Sequence, residues 1–490
     1  MSDPGHSQGP KVSYREVEDD YFQKRQLKRF AGVFHLWALG VGAVISGDFF
    51  GWNYGLTAGG FGGLLVATLC ITLMYVGLCF SIAEMAAAMP HTGGAYSFAR
   101  TAMGPWGGYL TGLAENMEYI LTPAVIVVGI GGYLGAIFET PDAWEPLWWL
   151  VAYALFVGLN IWGVEISFRF SVWITLIALG ILLVFYLGAL PHFDWQQALN
   201  IEPEKGGSRF FPTGWGGILS ALPFAVWFYL AIEQLPLAAE ESKHPQKDLP
   251  KGMVSGLMTL IVCAFATLIL NAGIAPGSQG IGSSDEPLFD GFKTIFGSGM
   301  GTKLLALVAV AGLVASFHSI IYAYGRQIYS LSRAGYFPSI LSLTAPKRQT
   351  PHVALVAGGV MGYGVALVIH FASPSSAVGA ALLNMAVFGA VIAYVMQMIS
   401  YLRLRRRFPA MKRPYISPAG RLGAMIAMVL SLITLGALFL NADYRAAVVG
   451  ALLWFVIGIV YFAAYARHRL VRAPEESFAM DESAADHDQV

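Results

Sequence analysis

The stretch GVGAVISGDFFGW, which runs from Gly40 to Trp52, decides how the rest of the chain is interpreted. It lies inside the first long apolar segment, yet it contains one aspartate, Asp48, and five glycines occur between Gly40 and Gly55. A charged side chain at membrane depth costs about 3 kcal/mol or more, so it is rare unless it has a use. Glycine in a helix interior weakens the helix. The stretch therefore predicts a membrane helix that is interrupted where its charge lies.

The composition is that of a polytopic membrane protein. Of the 490 residues, 56% are hydrophobic and only 12% are charged, against about 25% charged residues in a soluble domain. Thirty basic and thirty acidic residues give no net charge, which argues against nucleic acid as a partner. The three cysteines fall in apolar runs, so neither a disulfide framework nor a metal site is indicated, and no cofactor is predicted.

Twelve apolar stretches are long enough to cross a bilayer as helices, for which about 20 residues suffice. We therefore predict an all-α integral membrane protein with twelve transmembrane helices. The ninth and tenth stretches are separated only by the sequence ASPSSA. The predicted spans are 33–57, 62–88, 106–137, 147–165, 169–190, 215–239, 252–275, 300–331, 352–373, 376–401, 420–441 and 446–466.

Loop charge predicts the orientation, because cytoplasmic loops collect Lys and Arg. If both termini are cytoplasmic, twenty-five of the thirty basic residues lie on the inner side. The first thirty residues also lack the apolar core of a secretory signal. We therefore predict a multi-pass protein with both termini in the cytoplasm. The five basic residues left outside are Lys205, Arg209, Lys293, Lys303 and Arg445.

No soluble segment is long enough to bury a core of its own. We predict one transmembrane domain at 31–467, between a cytoplasmic N-terminal tail at 1–30 and a cytoplasmic C-terminal tail at 468–490. Both tails are predicted to be disordered. The longest outer loop, from Pro191 to Gly214, is predicted to hold a short interfacial helix.

A second interrupted span is predicted five spans after the first. The sequence LPFAVWFYLAIEQLPLAAEE places Glu233 and Pro236 among the apolar residues of the sixth span. Transporters often contain two halves of inverted topology, with broken helices at corresponding positions that line one site. Broken backbone at membrane depth is tolerated only where it lines a cavity or is covered by protein. The first and sixth spans are therefore predicted to form the walls of one central site.

Four stretches make the chain similar to a known family. They are GVGAVISGDFFGWNYGL in the first span, AEMAAAMPHTGGAYSFAR at the end of the second, AAEESKHPQKDLPKGM after the sixth and SIIYAYGRQIYSLSRAGYFP in the eighth. The chain resembles the amino acid–polyamine–organocation (APC) permeases, and LAIEQLPLAAEE together with the first stretch resembles the bacterial ethanolamine permeases within that superfamily.

The resemblance implies the fold and the mode of action. It implies two inverted five-helix repeats, at about 33–190 and about 215–401, and two extra C-terminal helices at about 420–466. Helices one and six are implied to be broken, and transport is implied to proceed by alternating access. A bacterial inner (plasma) membrane location is implied as well.

The resemblance also implies which backbone positions hold the substrate. In amino acid permeases of this superfamily, small residues break the first helix and offer N–H groups to the substrate carboxylate, while free carbonyls take the amine. The matching positions here include an aspartate, which would compete with a substrate carboxylate or repel it. This departure favours a cation without a carboxylate, such as an amino alcohol. The matching positions are Ile45, Ser46, Gly47, Asp48 and Phe49.

The sequence allows more than one role for several of the acidic residues. Asp48 has a second interpretation as a cap on backbone N–H groups, and both roles can hold at once. Glu233 matches an acidic position of the sixth helix, where it could bind the amine, carry a coupling proton or bond to neighbouring helices. Ala231 replaces the glycine of many members, which leaves the unwinding there open. Glu115 and Glu118 lie three apart in the third span, and one is assigned to the site and the other to structure, without a choice between them.

Aromatic residues crowd both breaks, and a ring face attracts a desolvated ammonium by about 2 kcal/mol. Trp227 and Tyr229 are the candidates for such a contact with an amine. Glu84, Glu240 and Glu241 lie near the inner ends of their spans. For these three residues we predict a structural role at the cytoplasmic gate.

We predict a secondary active transporter, a symporter that imports a small cationic amino alcohol, with ethanolamine as first candidate. One alternative is an amino acid permease for small neutral amino acids, and a rival of another class is a non-transporting membrane sensor with a permease fold. An enzyme is not predicted, because the chain has no dinucleotide loop, HExxH, CxxC, GxSxG or phosphate-binding loop. The coupling ion is open between H⁺ and Na⁺. The predicted partners are the amine and membrane lipid, and the oligomeric state is open.

Overall fold

The computed structural model describes residues 12–17, 20–372, 377–440 and 444–471. Those residues form helices, with two isolated bridges and no strand among them. Nine helices in this part of the chain are long and apolar enough to cross a membrane, and two further apolar helices are shorter. The α-helices are α1 (Val33–Val44), α2 (Ser46–Phe49), α3 (Tyr54–Ala88), α4 (Gly94–Phe138), α5 (Glu145–Trp162), α6 (Val164–Ala189), α7 (Trp195–Ala198), α8 (Gly216–Ala225), α9 (Pro245–Ala272), α10 (Gly277–Gly282), α11 (Pro287–Phe296), α12 (Met300–Arg333), α13 (His352–Ala372), α14 (Ala377–Arg407), α15 (Gly420–Leu440) and α16 (Arg445–Ala464).

Two glycines bend helices that would otherwise be continuous. Gly60 in α3 and Gly104 in α4 adopt φ angles of 69° and 78°, which a residue with a side chain rarely adopts. Gly60 separates the end of the first predicted span from the second span. Gly104 separates a short helix from the third span. The prediction of an all-α membrane fold is confirmed, and the helices follow the predicted spans in order.

Both predicted interruptions are present. The first span consists of α1 and α2, then Phe50 with extended backbone and Gly51 with φ 98°, and then the first turns of α3. The sixth span consists of α8, a 3-10 turn, and a 3-10 helix from Ile232 to Glu241. Ala231 joins these last two pieces in a left-handed conformation, with φ 83°. The breaks therefore fall five spans apart, as an inverted repeat requires.

Both ends of the described chain lie at the same face of the helix bundle, which we call the terminal face. The backbone N–H of Ser13 donates to the carbonyl of Arg467 at 3.0 Å, and that of Arg15 donates to the carbonyl of Leu470 at 2.8 Å. An even number of membrane crossings places both ends on one side. The described ends are consistent with the twelve predicted spans.

The N-terminal tail corrects one prediction. Disorder was expected for residues 1–30, but Tyr21 and Arg25 are buried at the terminal face. The guanidinium of Arg25 donates to the Ser342 hydroxyl at 2.7 Å, and its charge lies 3.7 Å from the centre of the Tyr21 ring. These polar contacts with the segment after α12 are distant in sequence, so composition alone did not indicate them.

Two loops were singled out by the sequence. The loop between α6 and α8 contains the short helix α7, which confirms a helix there, and Asp194 caps its first turn by accepting the N–H of Gln196 at 2.8 Å. The helices α13 and α14 are described up to Ala372 and from Ala377, on either side of the predicted break at ASPSSA. Residues 373–376 of that sequence lie outside the described residues.

Candidate functional site

The backbone of the first break is held by the neighbouring helices. The N–H of Ser46 donates to the hydroxyl of Ser316 in α12 at 2.9 Å, and that hydroxyl donates to the carbonyl of Gly42 at 2.8 Å. The hydroxyl of Tyr133 in α4 donates to the carbonyl of Phe49 at 3.2 Å. One serine thus satisfies both a donor and an acceptor that the interrupted helix leaves open.

The two breaks touch each other directly. Gly47 packs against the carbonyl of Trp227, so that the backbones of the first and sixth spans are in contact with no side chain between them. The ring of Trp52 stacks on Phe228, with 5.5 Å between ring centres. The indole N–H of Trp227 is buried without a hydrogen-bond partner in the described structure. The predicted pairing of the two broken spans is therefore present.

Asp48 lies at this junction and is 1% exposed. Neither of its carboxylate oxygens completes a hydrogen bond within the described residues. The hydroxyl of Thr267 in α9 interacts with this carboxylate, although its geometry falls short of a full hydrogen bond. Asp48 also acts electrostatically on Tyr186, Tyr229 and Cys263. The carboxylate therefore faces a mostly neutral pocket between the first, fifth, sixth and seventh spans.

The capping interpretation of Asp48 is not supported by this geometry. A capping side chain accepts a backbone N–H, and Asp48 accepts none. Two N–H groups close to it are used in other ways: that of Asp48 donates to the carbonyl of Ile45, and that of Phe50 donates to the carbonyl of Ser46, both at 3.0 Å. Within the described residues, the buried carboxylate has the weak contact with Thr267 and no full hydrogen bond.

A second acidic group lies between α4 and the sixth span. Glu115 accepts a hydrogen bond from the amide of Gln327 at 2.7 Å. One oxygen of Glu233 accepts the N–H of Ala231 at 3.2 Å, while its other oxygen and both oxygens of Glu118 make no full hydrogen bond. Glu118 and Glu233 are close enough to interact directly. The structure thus brings all three predicted glutamates into one buried cluster.

Tyrosines connect this cluster to the pocket of Asp48. The hydroxyl groups of Tyr75 and Tyr394 are 2.7 Å apart beside the glutamates. The ring of Tyr75 lies 5.1 Å from that of Tyr229, and the Tyr229 hydroxyl is 2.6 Å from the hydroxyl of Thr72. Tyr229 is therefore common to both groups. The predicted residues thus lie in one buried polar region with two acidic parts, which is the candidate site.

Sequence reasoning missed several residues of this site. Each is a polar side chain inside an otherwise apolar span, and that feature could have indicated them. It does not say which of them face the break, because many other polar residues in the spans satisfy their own helix. The missed residues are Tyr75, Tyr133, Tyr186, Thr267, Ser316, Gln327 and Tyr394.

Phe49 and Ala231 complete the set of predicted positions. The ring of Phe49 packs against Gly312 of α12, where a Cβ would lie 2.4 Å from the ring. Ala231 is fully buried in its left-handed conformation. The sixth helix therefore unwinds here without the glycine that many APC permeases carry. A non-glycine residue in this conformation costs about 1–2 kcal/mol.

Buried ion pairs close the path from the site to the terminal face. Glu241 and Arg326 are both fully buried, with 2.9 Å between Oε1 and Nη2, and the hydroxyl of Tyr322 also donates to Glu241. The backbone N–H groups of Phe30 and Ala31 donate to the carbonyl of Glu241 at 2.7 and 2.9 Å. The end of the sixth span is thus tied to α12 and to the chain before α1.

Two further acids predicted at this gate also have basic partners. Glu240 pairs with Arg333, and His91 lies 3.4 Å from its carboxylate. Glu84 accepts hydrogen bonds from Arg405 and from the Tyr401 hydroxyl at 3.0 Å. These contacts agree with the predicted structural role of the three acids.

The opposite face carries an acidic loop above the first break. Asn53 donates to the carbonyls of Ile281 and Ser284, both at 2.8 Å, and Tyr54 donates to Asp285 at 3.0 Å. Burial, followed by the nearby Asp285 and Asp290 carboxylates, raises the pKa of Glu286 to about 7. The site residues lie between this loop and the gate, and are closed off from both faces.

Two interrupted helices that meet at a buried polar site, within an all-helical bundle, define an APC-type membrane transporter. The amino acid permease family model matches residues 35–474, and the chain belongs to that family. Among the described residues, no group of three or more His, Cys, Asp or Glu side chains could hold a metal ion.

Similar proteins are bacterial transporters. An uncharacterized transporter of Rhizobium meliloti is 27% identical over 458 residues, covering 92% of this chain and 95% of its own. The branched-chain amino acid permease BcaP of Bacillus subtilis is 27% identical over 471 residues, with coverages of 91% and 94%. A crystal structure of the manganese transporter of Eremococcus coleocola aligns with a TM-score of 0.51 at 14% identity, covering 96% of this chain and 97% of that one. The last similarity concerns the fold alone.

Proposed function

We propose that this permease is a secondary active transporter, a symporter of the bacterial inner membrane that imports a small cationic amine without a carboxylate. Ethanolamine is the first candidate. The observation that carries the proposal is the state of Asp48, a buried carboxylate with neither a full hydrogen bond nor an ion pair among the described residues. On the charge of the loops, we propose that the terminal face is cytoplasmic.

A substrate ammonium would compensate the Asp48 charge. An unpaired buried charge costs several kcal/mol, and a bound cation removes much of that cost. The ammonium would find the hydroxyl groups of Thr267 and Tyr186 on the same side, and the ring of Tyr229 beside it. A hydroxyl on the substrate suits such a pocket, because its walls supply further hydrogen-bonding hydroxyl groups.

The first break is poorly equipped to bind a carboxylate. Three of the five backbone N–H groups from Ser46 to Phe50 already have acceptors, which leaves fewer for a carboxylate: that of Ser46 donates to Ser316, and those of Asp48 and Phe50 donate to carbonyls of the same segment. A substrate carboxylate would also approach the charge of Asp48. Both facts favour an amine that lacks a carboxylate.

A permease for small neutral amino acids is the second candidate. The observation in its favour is the family itself, together with relatives that are named amino acid permeases. In that case Asp48 would carry a proton when the substrate binds. Competition experiments separate the two candidates, because alanine and not ethanolamine would then be the effective competitor.

For the coupling ion we propose H⁺. Glu118 and Glu233 approach each other in a buried cluster, and the described structure holds no ion pair for either of them. Two neighbouring carboxylates without a cation do not both stay charged, so the pair is suited to bind and release one proton. Tyr75 and Tyr394 supply hydroxyl groups along the way to Tyr229.

Calorimetric titration of the purified protein with ethanolamine, choline and alanine tests the substrate. We expect ethanolamine to bind, and Asp48→Asn to weaken that binding at least about 100-fold, as loss of a charge-assisted contact predicts. Glu165→Gln, which removes an exposed acid of α6, is the matched control. Tighter binding of alanine, or unchanged ethanolamine binding in Asp48→Asn, would reject the proposal. Uptake into sealed vesicles then separates a transporter from a sensor, which would bind without moving its ligand.

A further inference from the structure

A second, apolar cavity lies outside the site, between α4, α12, α13 and α16. Its volume is about 510 Å³, within the range of small-molecule sites. Hydrocarbon side chains form most of its wall. The apolar side chains that line it include Leu113, Ile120, Ile328, Leu341, Met361 and Ile457.

The cavity opens sideways, toward the hydrocarbon of the bilayer. Met361 on α13 and Ile457 on α16 line it and are 45% and 68% exposed. Along α4 the lining runs from Tyr109 to Ile120. At 1.5 Å per helical residue this is about 16 Å, roughly half of a hydrocarbon core of about 30 Å. The cavity therefore matches the depth of one leaflet, and acyl chains are the molecules that lie there.

Two hydrogen bonds fix the spacing of the helices that form the walls of the cavity. The hydroxyl of Tyr109 donates to the carbonyl of Gly458 at 2.8 Å, and the indole of Trp454 donates to the carbonyl of Leu113 at 3.0 Å. Both bonds join α4 to α16 and use the polar atoms of residues that line the cavity. They fix the spacing of the two helices and leave apolar surface toward the cavity. The gap is thus preformed.

Two arginines follow the last lining residue of α16, Tyr461, toward the terminal face. Tyr461 lies 5.6 Å from the ring of Tyr465, whose hydroxyl accepts a hydrogen bond from Arg469 at 2.6 Å. Arg467 precedes Arg469 by two residues. Neither arginine forms an ion pair with a carboxylate within the described chain. Basic residues beside a gap between membrane helices attract anionic headgroups.

We propose that this cavity binds one anionic phospholipid from the leaflet at the terminal face, with an acyl chain in the cavity and the phosphate on Arg469 and Arg467. The binding site is separate from the transport site, because the cavity lies on the outer side of α4 and α12 and shares none of the acidic residues of that site.

Native mass spectrometry of the purified protein tests the proposal, with phosphatidylglycerol and phosphatidylcholine of identical acyl chains as probes. We expect one retained phosphatidylglycerol, preferred over phosphatidylcholine by about fivefold for each arginine that contacts the phosphate. Ala357→Phe places a ring in the cavity and should abolish retention. Val360→Phe adds the same ring on the same helix at a position that is 68% exposed, and should not.

Arg469→Gln should reduce the preference for phosphatidylglycerol, whereas Arg421→Gln, which removes an exposed cation at the start of α15, should leave it unchanged. Leu341→Trp fills the cavity from another element and replaces Ala357→Phe if that variant does not fold. Unchanged retention in a folded, filled variant would overturn the proposed cavity. Equal retention of both lipids by the unaltered protein would overturn the proposed headgroup.

Discussion

Gly47 and Trp227 are in backbone contact: a Cβ built on Gly47 would lie 2.0 Å from the carbonyl oxygen of Trp227. These residues belong to the two interrupted helices of the two repeats, and are 180 positions apart. Their contact sets how closely the two breaks approach and so shapes the pocket of Asp48. A glycine is required at position 47 for lack of space, not for its backbone angles.

We therefore expect Gly47→Ala to separate the two breaks and abolish uptake into proteoliposomes. Overpacking against backbone costs about 1–3 kcal/mol or more, because the carbonyl cannot rotate away as a side chain would. Gly180→Ala in α6 is the control, since no atom lies within 4 Å of the added methyl group. Full uptake by Gly47→Ala would contradict the close contact of the breaks.

Ala231→Gly should be tolerated, although glycine usually destabilises. Ala231 pays about 1–2 kcal/mol for its left-handed backbone, and glycine removes that cost while adding about 1 kcal/mol of chain entropy. The thermal midpoint should therefore change little or rise. Ala225→Gly, at a buried position with ordinary helical backbone, should lower the midpoint. Equal losses in both variants would show that Ala231 is not strained.

Glu118→Gln should uncouple transport from the proton gradient. The side chain keeps its size and loses its ability to ionise, so accumulation driven by a pH gradient should fall about tenfold or more, while exchange of labelled for unlabelled substrate continues. Both assays use the same vesicles, which distinguishes lost coupling from lost binding. If Glu118→Gln still accumulates substrate against a pH gradient, or if a Na⁺ gradient alone drives uptake, the proposed coupling is wrong.

Glu241→Gln should destabilise the protein by about 3–5 kcal/mol, because it leaves the fully buried Arg326 without a counter-charge. Thermal unfolding in detergent measures the change. Glu165→Gln breaks an exposed pair with Arg169 and should cost less than about 1 kcal/mol. The double variant Glu241→Gln, Arg326→Gln should recover part of the loss, and a double variant no better than the single one would contradict the pairing.

Glu286 predicts a pH dependence of stability. Its pKa is raised to about 7, from an ordinary value near 4.5, by burial and by the neighbouring Asp285 and Asp290. Between pH 4.5 and pH 7, the Glu286 carboxyl is protonated in the folded protein and ionised in the unfolded chain. Its contribution to stability is therefore present at low pH and is lost as the pH rises through 7. The thermal midpoints measured at pH 5 and at pH 8 should differ less in Glu286→Gln than in the unaltered protein.

The control for that experiment is Glu204→Gln, which alters an exposed carboxylate in the loop between α7 and α8. It should keep the pH dependence of the unaltered protein. An identical pH dependence in Glu286→Gln would mean that another group is responsible.

Much of the fold was predictable from local patterns. Apolar stretches of sufficient length located the membrane helices, since each must satisfy its own backbone in lipid. Glycines beside Asp48, and Glu233 beside Pro236, indicated the two breaks because such residues are costly in an intact membrane helix. For the part of the N-terminal segment around Arg25, the prediction of disorder was wrong, because the groups that order it lie more than 300 residues away, as the bond from Arg25 to Ser342 illustrates.

The sequence by itself determined the class of protein, its broken helices and its unusual intramembrane acids, because hydrophobicity and backbone propensity are local properties. Only the tertiary structure decided which partners those acids have. Ser316 takes the backbone groups of the break from 270 positions away, Glu118 and Glu233 meet across two helices, and Asp48 receives no full hydrogen bond from the described residues. Such contacts depend on the rotation and spacing of packed helices, which the hydrophobic pattern of a single span does not fix.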